Sequence, residues 1–492
     1  MEKETAKGRY KALALRRDPF LRRAREFAKV TIPSLLPPEG HTQSLDMSEP
    51  YQGFGARCVT SLSSRLMTAL IPPGQPWFKL EIPAEILIQE GKLIADKDSE
   101  QGLAQSEQIV IREIERRQWR APTYLAIQHL IVSGNALEQI LEDNTIRTYR
   151  LDQYVVARDP VGNLTEIVIE EHLSPLTLPP DLKAIVGENS SQANTVPLYT
   201  WIKLNEDGDW GVHQEINDSV LEDTEGTYRI LPFNVLRWSV VLGEDYGRSK
   251  VEDHWGDFRA LEGFSKDTID GSAMAARNIT MIRPNAAGGM NLRRRLAKAR
   301  NGEFVVGNPE DVDMLQFKNV NGLQIAQEAK LEIKQELASA FLLNSSARRD
   351  AERVTAFELR MMIEEIESVL GGVYTALVEV LQNQRLTRLI FQMKQRGSLP
   401  NWPEGLVEPV VMTGLEALGR EKDVQRVATV LQSLQAVPQE VIQQYVKWPE
   451  LLSKVFVGAG LPNAVNTEAE AEEVRNRLAA MMAQSRGQVP TA

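Results

Sequence analysis

Two stretches of helical hydrophobic spacing, residues 249–278 and 323–343, flank a segment that can continue neither of them. Between them runs "IRPNAAGGMNLRRRLAKARNGEFVVGNPEDVDML", where Pro284 and Pro309 lack the amide a helix needs and Gly288-Gly289 weakens helical preference. The chain must therefore leave one helix, build a small module with short β-like pieces such as Phe304-Val305-Val306, and enter another helix. Ser249 and Glu252 make a capping box at the start of the first helix. In the second, Ile325, Ala329, Ile333, Leu337 and Phe341 step by four along one face, over a length of about 30 Å.

Next comes "NSSARRDAERVTAFELR", Asn344 to Arg360. Thr355 and Glu358 form a second capping box, so a long helix is predicted from Thr355, burying Met362, Ile366, Val369, Leu370, Val373, Leu377, Val380 and Leu381. Gly371-Gly372 predicts a kink inside it, at roughly 1 kcal/mol per glycine relative to alanine. Residues 344–354 remain as a loop, longer than the roughly two to eight residues usual between helices. The loop holds Arg348, Arg349 and Arg353, which could touch phosphate, serve a catalytic site or stand in water. Against them Asp350 and Glu352 leave a net charge of +1.

Toward the N-terminus a basic amphipathic helix is expected over 10–30, stopped by Pro33, Pro37 and Pro38. Another, 52–70, places Val59, Leu62, Leu66, Met67 and Leu70 on one face and ends at Pro72-Pro73-Gly74. Helical patterns also cover about 97–118 and 121–133. From about 145 to 241 the period becomes that of strands, with hairpins around Asp159-Pro160-Val161-Gly162-Asn163 and around Asp207-Gly208. Helical spacing returns in "TGLEALGREKDVQRVATVLQSLQAV" and "TEAEAEEVRNRLAAMMAQ". Clustered strands within a mainly helical chain give an α+β class.

At 492 residues, 42% of them hydrophobic, the chain is expected to fold as more than one domain. Its formal charge of −11 argues against gripping nucleic acid by general electrostatics, so any DNA contact has to be local. One cysteine, Cys58, excludes an internal disulfide, fits synthesis in a reducing cytosol and reads as a small buried thiol. The charged N-terminus has no apolar signal core, and no apolar run approaches the roughly 20 residues that span a bilayer. His41, His129, His172, His213 and His254 are too scattered for metal-ligand spacing. There is no G-x-x-x-x-G-K-[ST], no G-x-G-x-x-G and no G-x-S-x-G. Glu364, Glu365 and Glu367 read as a wet helix face. No catalytic residue, cofactor or metal is therefore expected. The densest charge is in the module: Arg283, Arg293, Arg294, Arg295, Lys298 and Arg300, with no acid among them. Such a run is either a solvated loop or a docking surface for an acidic partner or phosphate.

Six motifs, "VTIPSLLPPEG", "GARCVTSLSSRLMTALIPP", "DYGRSKVEDHWGDFRALE", "FLLNSSARRDAERVTAFELR", "LGGVYTALVEVLQ" and "TGLEALGR", resemble in order those of podovirus head-to-tail connectors, the portal proteins of short-tailed bacteriophages. The resemblance covers about residues 8 to 425; the last sixty or so match weakly, and the chain ends early for the family. It implies a portal-protein fold assembled as a ring, usually a dodecamer, at one capsid vertex of the virion, in a protein made in the host cytoplasm. It implies a wing over 1–248, stem helices at 249–278 and 323–343, a clip at 279–322, a tunnel loop at 344–354, a further wing segment at 355–412 and a crown at 413–492. The tunnel-loop cations Arg348, Arg349 and Arg353 would meet double-stranded DNA in the channel. The clip cations Arg293, Arg294, Arg295, Lys298 and Arg300 would dock partners. Those implied are the terminase large subunit, a tail adaptor or tail tube, and scaffolding and major capsid proteins, with no membrane. The competing readings are a tail or capsid protein that never touches DNA and a nucleic-acid-processing enzyme subunit.

Overall fold

The computed structural model describes residues 5–41, 45–72, 77–83, 97–174, 195–275, 279–283, 289–300, 304–306, 308–315, 320–343, 356–400, 402–403, 406–411 and 475–477. Helix α1 (Ala6–Val30) starts at Thr5, whose hydroxyl accepts the Gly8 amide, while the Glu215 carboxylate accepts the Ala6 amide at 2.6 Å. α2 (Phe54–Leu70) carries Cys58 fully buried, and burial pushes its thiol up to about 12, far from reactive ionisation. β1 (Phe78–Glu81), α3 (Lys97–Arg116) and α4 (Arg120–Ser133) follow, with α4 packed against both α1 and α2.

The strands then come together: β2 (Asn135–Ile140), β3 (Ile146–Tyr149), β4 (Tyr154–Arg158), β5 (Leu164–Leu173), β6 (Val196–Leu204), β7 (Trp210–Ile216), β8 (Ser219–Tyr228) and β9 (Phe233–Arg237). β4 to β8 form an antiparallel meander in chain order, and β3-β2-β9 a second sheet. Both expected hairpins form. In the first, Asp159 Oδ1 accepts the amides of Val161, Gly162 and Asn163; in the second, Gly208 supplies a φ of +88°. Alternation sorts the meander's two faces. Val155, Val168, Tyr199 and Trp201 meet Tyr10 and Leu13 of α1, whereas Tyr154, Val156, Ile167, Ile169 and Ile202 join the main core.

α4 hands over to β2 through Gly134, which has φ +76° and accepts the Trp238 amide at 2.9 Å. Against it lies Gly247, tied to Asn135 by a reciprocal pair of hydrogen bonds of 2.7 and 2.9 Å. His129, on the same helix, is 2% exposed, and burial with the nearby Arg150 charge holds its imidazole down to about 4. It is thus neutral in the fold and protonates only in the unfolded chain between about pH 6.5 and 4. Wild type should lose on the order of 3 kcal/mol of stability over that interval relative to His129→Leu, whose unfolding can be followed in parallel. Parallel pH profiles for the two proteins would refute this.

Beyond the sheets run α5 (Lys250–Asp253), α6 (Trp255–Ala275), β10 (Ile279–Ile282), α7 (Gly289–Lys298), β11 (Val312–Leu315) and α8 (Val320–Ala340). α6 and α8 pack side by side, with Phe258 edge-on to Phe341 at 5.4 Å, and β10 pairs antiparallel with β11 beyond them. The result is a helical hairpin carrying a small module. Then come α9 (Ala356–Leu370), α10 (Gly372–Leu377), a π-helical segment Val378–Asn383, α11 (Gln384–Gln395) and β12 (Glu408–Val411), which pairs with β1.

Several expectations need correction. The Ser249 hydroxyl accepts the Glu252 amide at 2.9 Å, but the Glu252 carboxylate is held by Arg248 and Arg23, so only half the capping box forms. The helix is not continuous either: it breaks at His254, which has φ −113° and ψ 22°. Phe304-Val305-Val306 is no strand; β10 takes β11 as partner and Phe304 stands fully exposed. The expected stripe on α8 is buried at Leu337 and Phe341, half-buried at Ala329 and Ile333, and 67% exposed at Ile325, because it runs out beyond the body of the chain. Val369 is 38% exposed. Glu365 is not merely wet, since its carboxylate pairs with Arg65 at 2.9 Å. Of the expected C-terminal helices only 475–477 are described, and they are helical; the rest of those helices and the cap at Thr355 lie outside the described residues.

Candidate functional site

The hairpin is built so that its module is presented at one end of two 21-residue helices, each about 30 Å long. Pairing of Ile279 with Leu315 through Ile282 with Val312, extended by the Arg283 amide on the Asp311 carbonyl, closes the neck of the module. Inside it lies α7, which the glycine-rich sequence had not signalled. Leu292 is buried and Leu296 half-buried on one side of this helix. At 100° per residue, Arg294 and Lys298 fall on the opposite side, and Arg293 and Arg295 on its two flanks. Arg293, Arg294, Arg295, Lys298 and Arg300 are all exposed. Arg295 Nε makes only a long 3.4 Å bond back to Asn291 O, so the helix gathers charge without using it internally.

Arg348, Arg349 and Arg353 lie outside the described residues. The described chain before 344 and after 355 is anchored on one element. The Ser61 hydroxyl of α2 donates to Leu342 O at 3.3 Å, and Arg65 of α2 holds Glu365 of α9. α9 then meets the expected kink: Gly371 adopts φ 54° and ψ −133°, a conformation glycine alone takes readily.

After the kink the helix widens into the π segment, whose geometry is fixed from two sides. Asn234 donates its amide to Val380 O at 3.0 Å, and Gln382 donates to Leu70 O at the end of α2. One turn on, Arg385 is 1% exposed; its guanidinium grips both oxygens of the fully buried Glu138 on β2 and the Thr123 hydroxyl of α4. Sequence reasoning missed this pair. The signal was there, since Arg385 steps by four between Leu381 and Leu389 on an apolar stripe. A cleft of about 890 Å³ lies beside the π segment, between Trp210, Phe233 and Trp238 on one side and Val373, Ala376 and Val380 on the other.

Among the described residues no group of three or more His, Cys, Asp or Glu is arranged to hold a metal ion. His213 faces Glu215 and His254 faces Asp257, each as an isolated pair. No helix among the described residues is long and apolar enough to cross a membrane.

The sequence matches the family described as bacteriophage head to tail connecting protein over residues 3–466. The chain belongs to that family. This connector is 36% identical over 435 residues to a portal protein of Enterobacteria phage T3, spanning 86% of the chain and 80% of the relative. Against a portal protein of Escherichia phage T7 the identity is 35% over 441 residues, spanning 87% and 81%. The neck of an empty GTA particle computed with C6 symmetry is 12% identical with a TM-score of 0.38, covering 77% of this chain and 86% of that one, too loose a likeness to argue from. The connector is a portal protein of the phage particle, a structural component and not an enzyme.

Proposed function

We propose that the connector assembles as a ring, usually of twelve copies, at the unique vertex of the capsid, and that double-stranded DNA enters and leaves through it. The observation that carries this reading is the helical hairpin with its basic module, in a chain of net charge −11. Residues 1–248 and 355–412 serve as wing, the two helices of the hairpin as stem, 279–322 as clip, 344–354 as tunnel loop and 413–492 as crown. Duplex DNA carries one charge per ~1.7 Å of axis, so a wall of cations would hold it at many phosphates at once. A mostly acidic ring lets it slide, and Arg348, Arg349 and Arg353 touch it briefly at one level of the channel.

The clip face of Arg293, Arg294, Arg295, Lys298 and Arg300 docks acidic surfaces: the terminase large subunit during packaging and the tail adaptor or tail tube afterward. Scaffolding and major capsid proteins surround the wing, and synthesis takes place in the host cytoplasm. Two triple variants test these assignments. Arg293, Arg294 and Arg295 all changed to alanine should leave rings intact and reduce terminase or tail docking at least tenfold. The same change at Arg348, Arg349 and Arg353 should leave rings and docking intact and reduce DNA packaging or retention. Normal packaging and tail attachment by both variants would refute the assignment and favour a capsid or tail protein that never meets DNA.

A further inference from the structure

On the faces that the hairpin's two helices turn away from each other, α6 carries exposed Arg259 and Lys266 with exposed Asp267 and Asp270 farther along, whereas the exposed charged residues of α8 are all acidic. On α6, Gly256, Arg259, Gly263 and Lys266 follow one another at i, i+3, i+7 and i+10, a single stripe, and all four are exposed. On α8 the exposed stripe is acidic, with Glu328, Glu332 and Glu336. None of these five charged groups forms an ion pair among the described residues; Lys266 Nζ lies only 5.8 Å from the Tyr51 ring centroid. The α8 lysines point elsewhere: Lys330 and Lys334 are half-buried, and Lys334 sits over the Phe54 ring.

The glycines are a second, independent observation. A Cβ added at Gly256 or Gly263 would meet no atom within 4 Å, so neither glycine is needed for packing within one chain. Each still costs the helix about 1 kcal/mol relative to alanine. A face without side chains lets another helix come close. Apolar groups wait on both helices as well: Ile269 and Met274 on α6 are 50% and 60% exposed, Ile325 and Leu331 on α8 67% and 54%.

We propose that the α6 stripe of one subunit docks on the α8 stripe of the next, with Arg259 and Lys266 laddered against Glu336 and Glu332. The partner is a second copy of this chain, and the inference rests on the ring reading above. A closed ring needs two different patches that fit each other, which the two cations of α6 nearest the body and the acidic stripe of α8 supply. The heights agree. Phe258 packs on Phe341, which sets a common level for the antiparallel helices. At about 1.5 Å per residue, Arg259 lies about 1.5 Å beyond that level, Glu336 about 7.5 Å, Lys266 about 12 Å and Glu332 about 13.5 Å. Copies related by rotation about an axis along the hairpin keep these heights, so Glu336 stands between the two cations and Glu332 beside Lys266. Asp270 and Glu328 come level next, at about 18 and 20 Å, and their like charges end the ladder there.

The test uses the full chain and compares ring formation by negative-stain microscopy and light scattering. Variant A is Arg259→Glu with Lys266→Glu; variant B is Glu332→Lys with Glu336→Lys. Each alone should lose rings at least tenfold while keeping wild-type circular dichroism. Mixed in equal amounts they should form rings again, because each acidic α6 then meets a basic α8. Gly263→Leu should leave the monomer folded and block rings, which no role inside one chain explains. If wild type forms rings and A, B and Gly263→Leu form them equally well at every salt concentration, the ladder is overturned and the ring reading stands. If A keeps its rings but loses DNA retention, the two cations face the duplex instead and the ladder is likewise overturned. If wild type forms no rings, both readings fall together.

Discussion

Replacing Arg385 with alanine should destabilise the protein by about 3–5 kcal/mol, because it leaves a fully buried carboxylate without its partner. The guanidinium binds Glu138 through two nitrogens and Thr123 through another, and both side chains are buried. It joins α11, β2 and α4, so the loss falls on the joint that seats the kinked helix. Glu138→Ala should cost a comparable amount. The double variant Arg385→Met with Glu138→Leu should cost far less, since apolar groups of similar size can replace a buried pair with little loss or even a gain. Chemical unfolding of the three variants separates these outcomes. A single-variant loss below about 1 kcal/mol would mean the pair contributes no more than one at the surface.

Gly134→Ala should be nearly as damaging, by about 3 kcal/mol or more, for two reasons that add. Its φ of +76° disfavours any side chain, and the added Cβ would lie 2.6 Å from Arg248 C, 2.7 Å from Gly247 O and 2.8 Å from Ser249 N. These contacts are backbone and cannot swing aside. The displaced atoms lead directly into α5 and the hairpin, so the variant should disturb the hairpin's seat as well as overall stability. Gly208→Ala is the matched control. That glycine has φ +88° but nothing within 4 Å of its would-be Cβ, so only conformational strain of about 1–2 kcal/mol applies. Equal losses for the two would show that the close approach at Gly134 does not matter.

The order of elements was legible wherever the signal is local. Capping residues, periodicity and breakers set α2, α4 and the two hairpins close to their observed bounds, and Gly371-Gly372 announced the kink. What the sequence hid depends on distant partners. Glu252 looks like the second half of a capping box until Arg248, four residues before it, and Arg23, from far along the chain, take its carboxylate. β1 and β12 pair across most of the chain's length, and four-residue strands carry too little alternation to announce a partner. Ile325 has the spacing of a core residue, yet the body of the chain ends before reaching it. For the candidate site, the density of cations in the module was evident, but not the helix that displays them. A run of Leu292, three arginines and Leu296 is short, and its neighbouring glycines conceal the helical period.

The cation stripe of α6 and the acidic stripe of α8 escaped notice for a similar reason. On the sequence alone Arg259 and Lys266 are two cations among many, and Asp257, Asp267 and Asp270 stand close by. Only the packing of α6 on α8 decides which residues turn outward together.

Every role assigned to the hairpin depends on this chain closing into a ring around DNA. Negative-stain microscopy of the purified full-length protein, over a range of protein and salt concentrations, tests it most directly. Ring-shaped particles of uniform subunit number with a central channel are expected. A uniform population of monomers under every condition would contradict it.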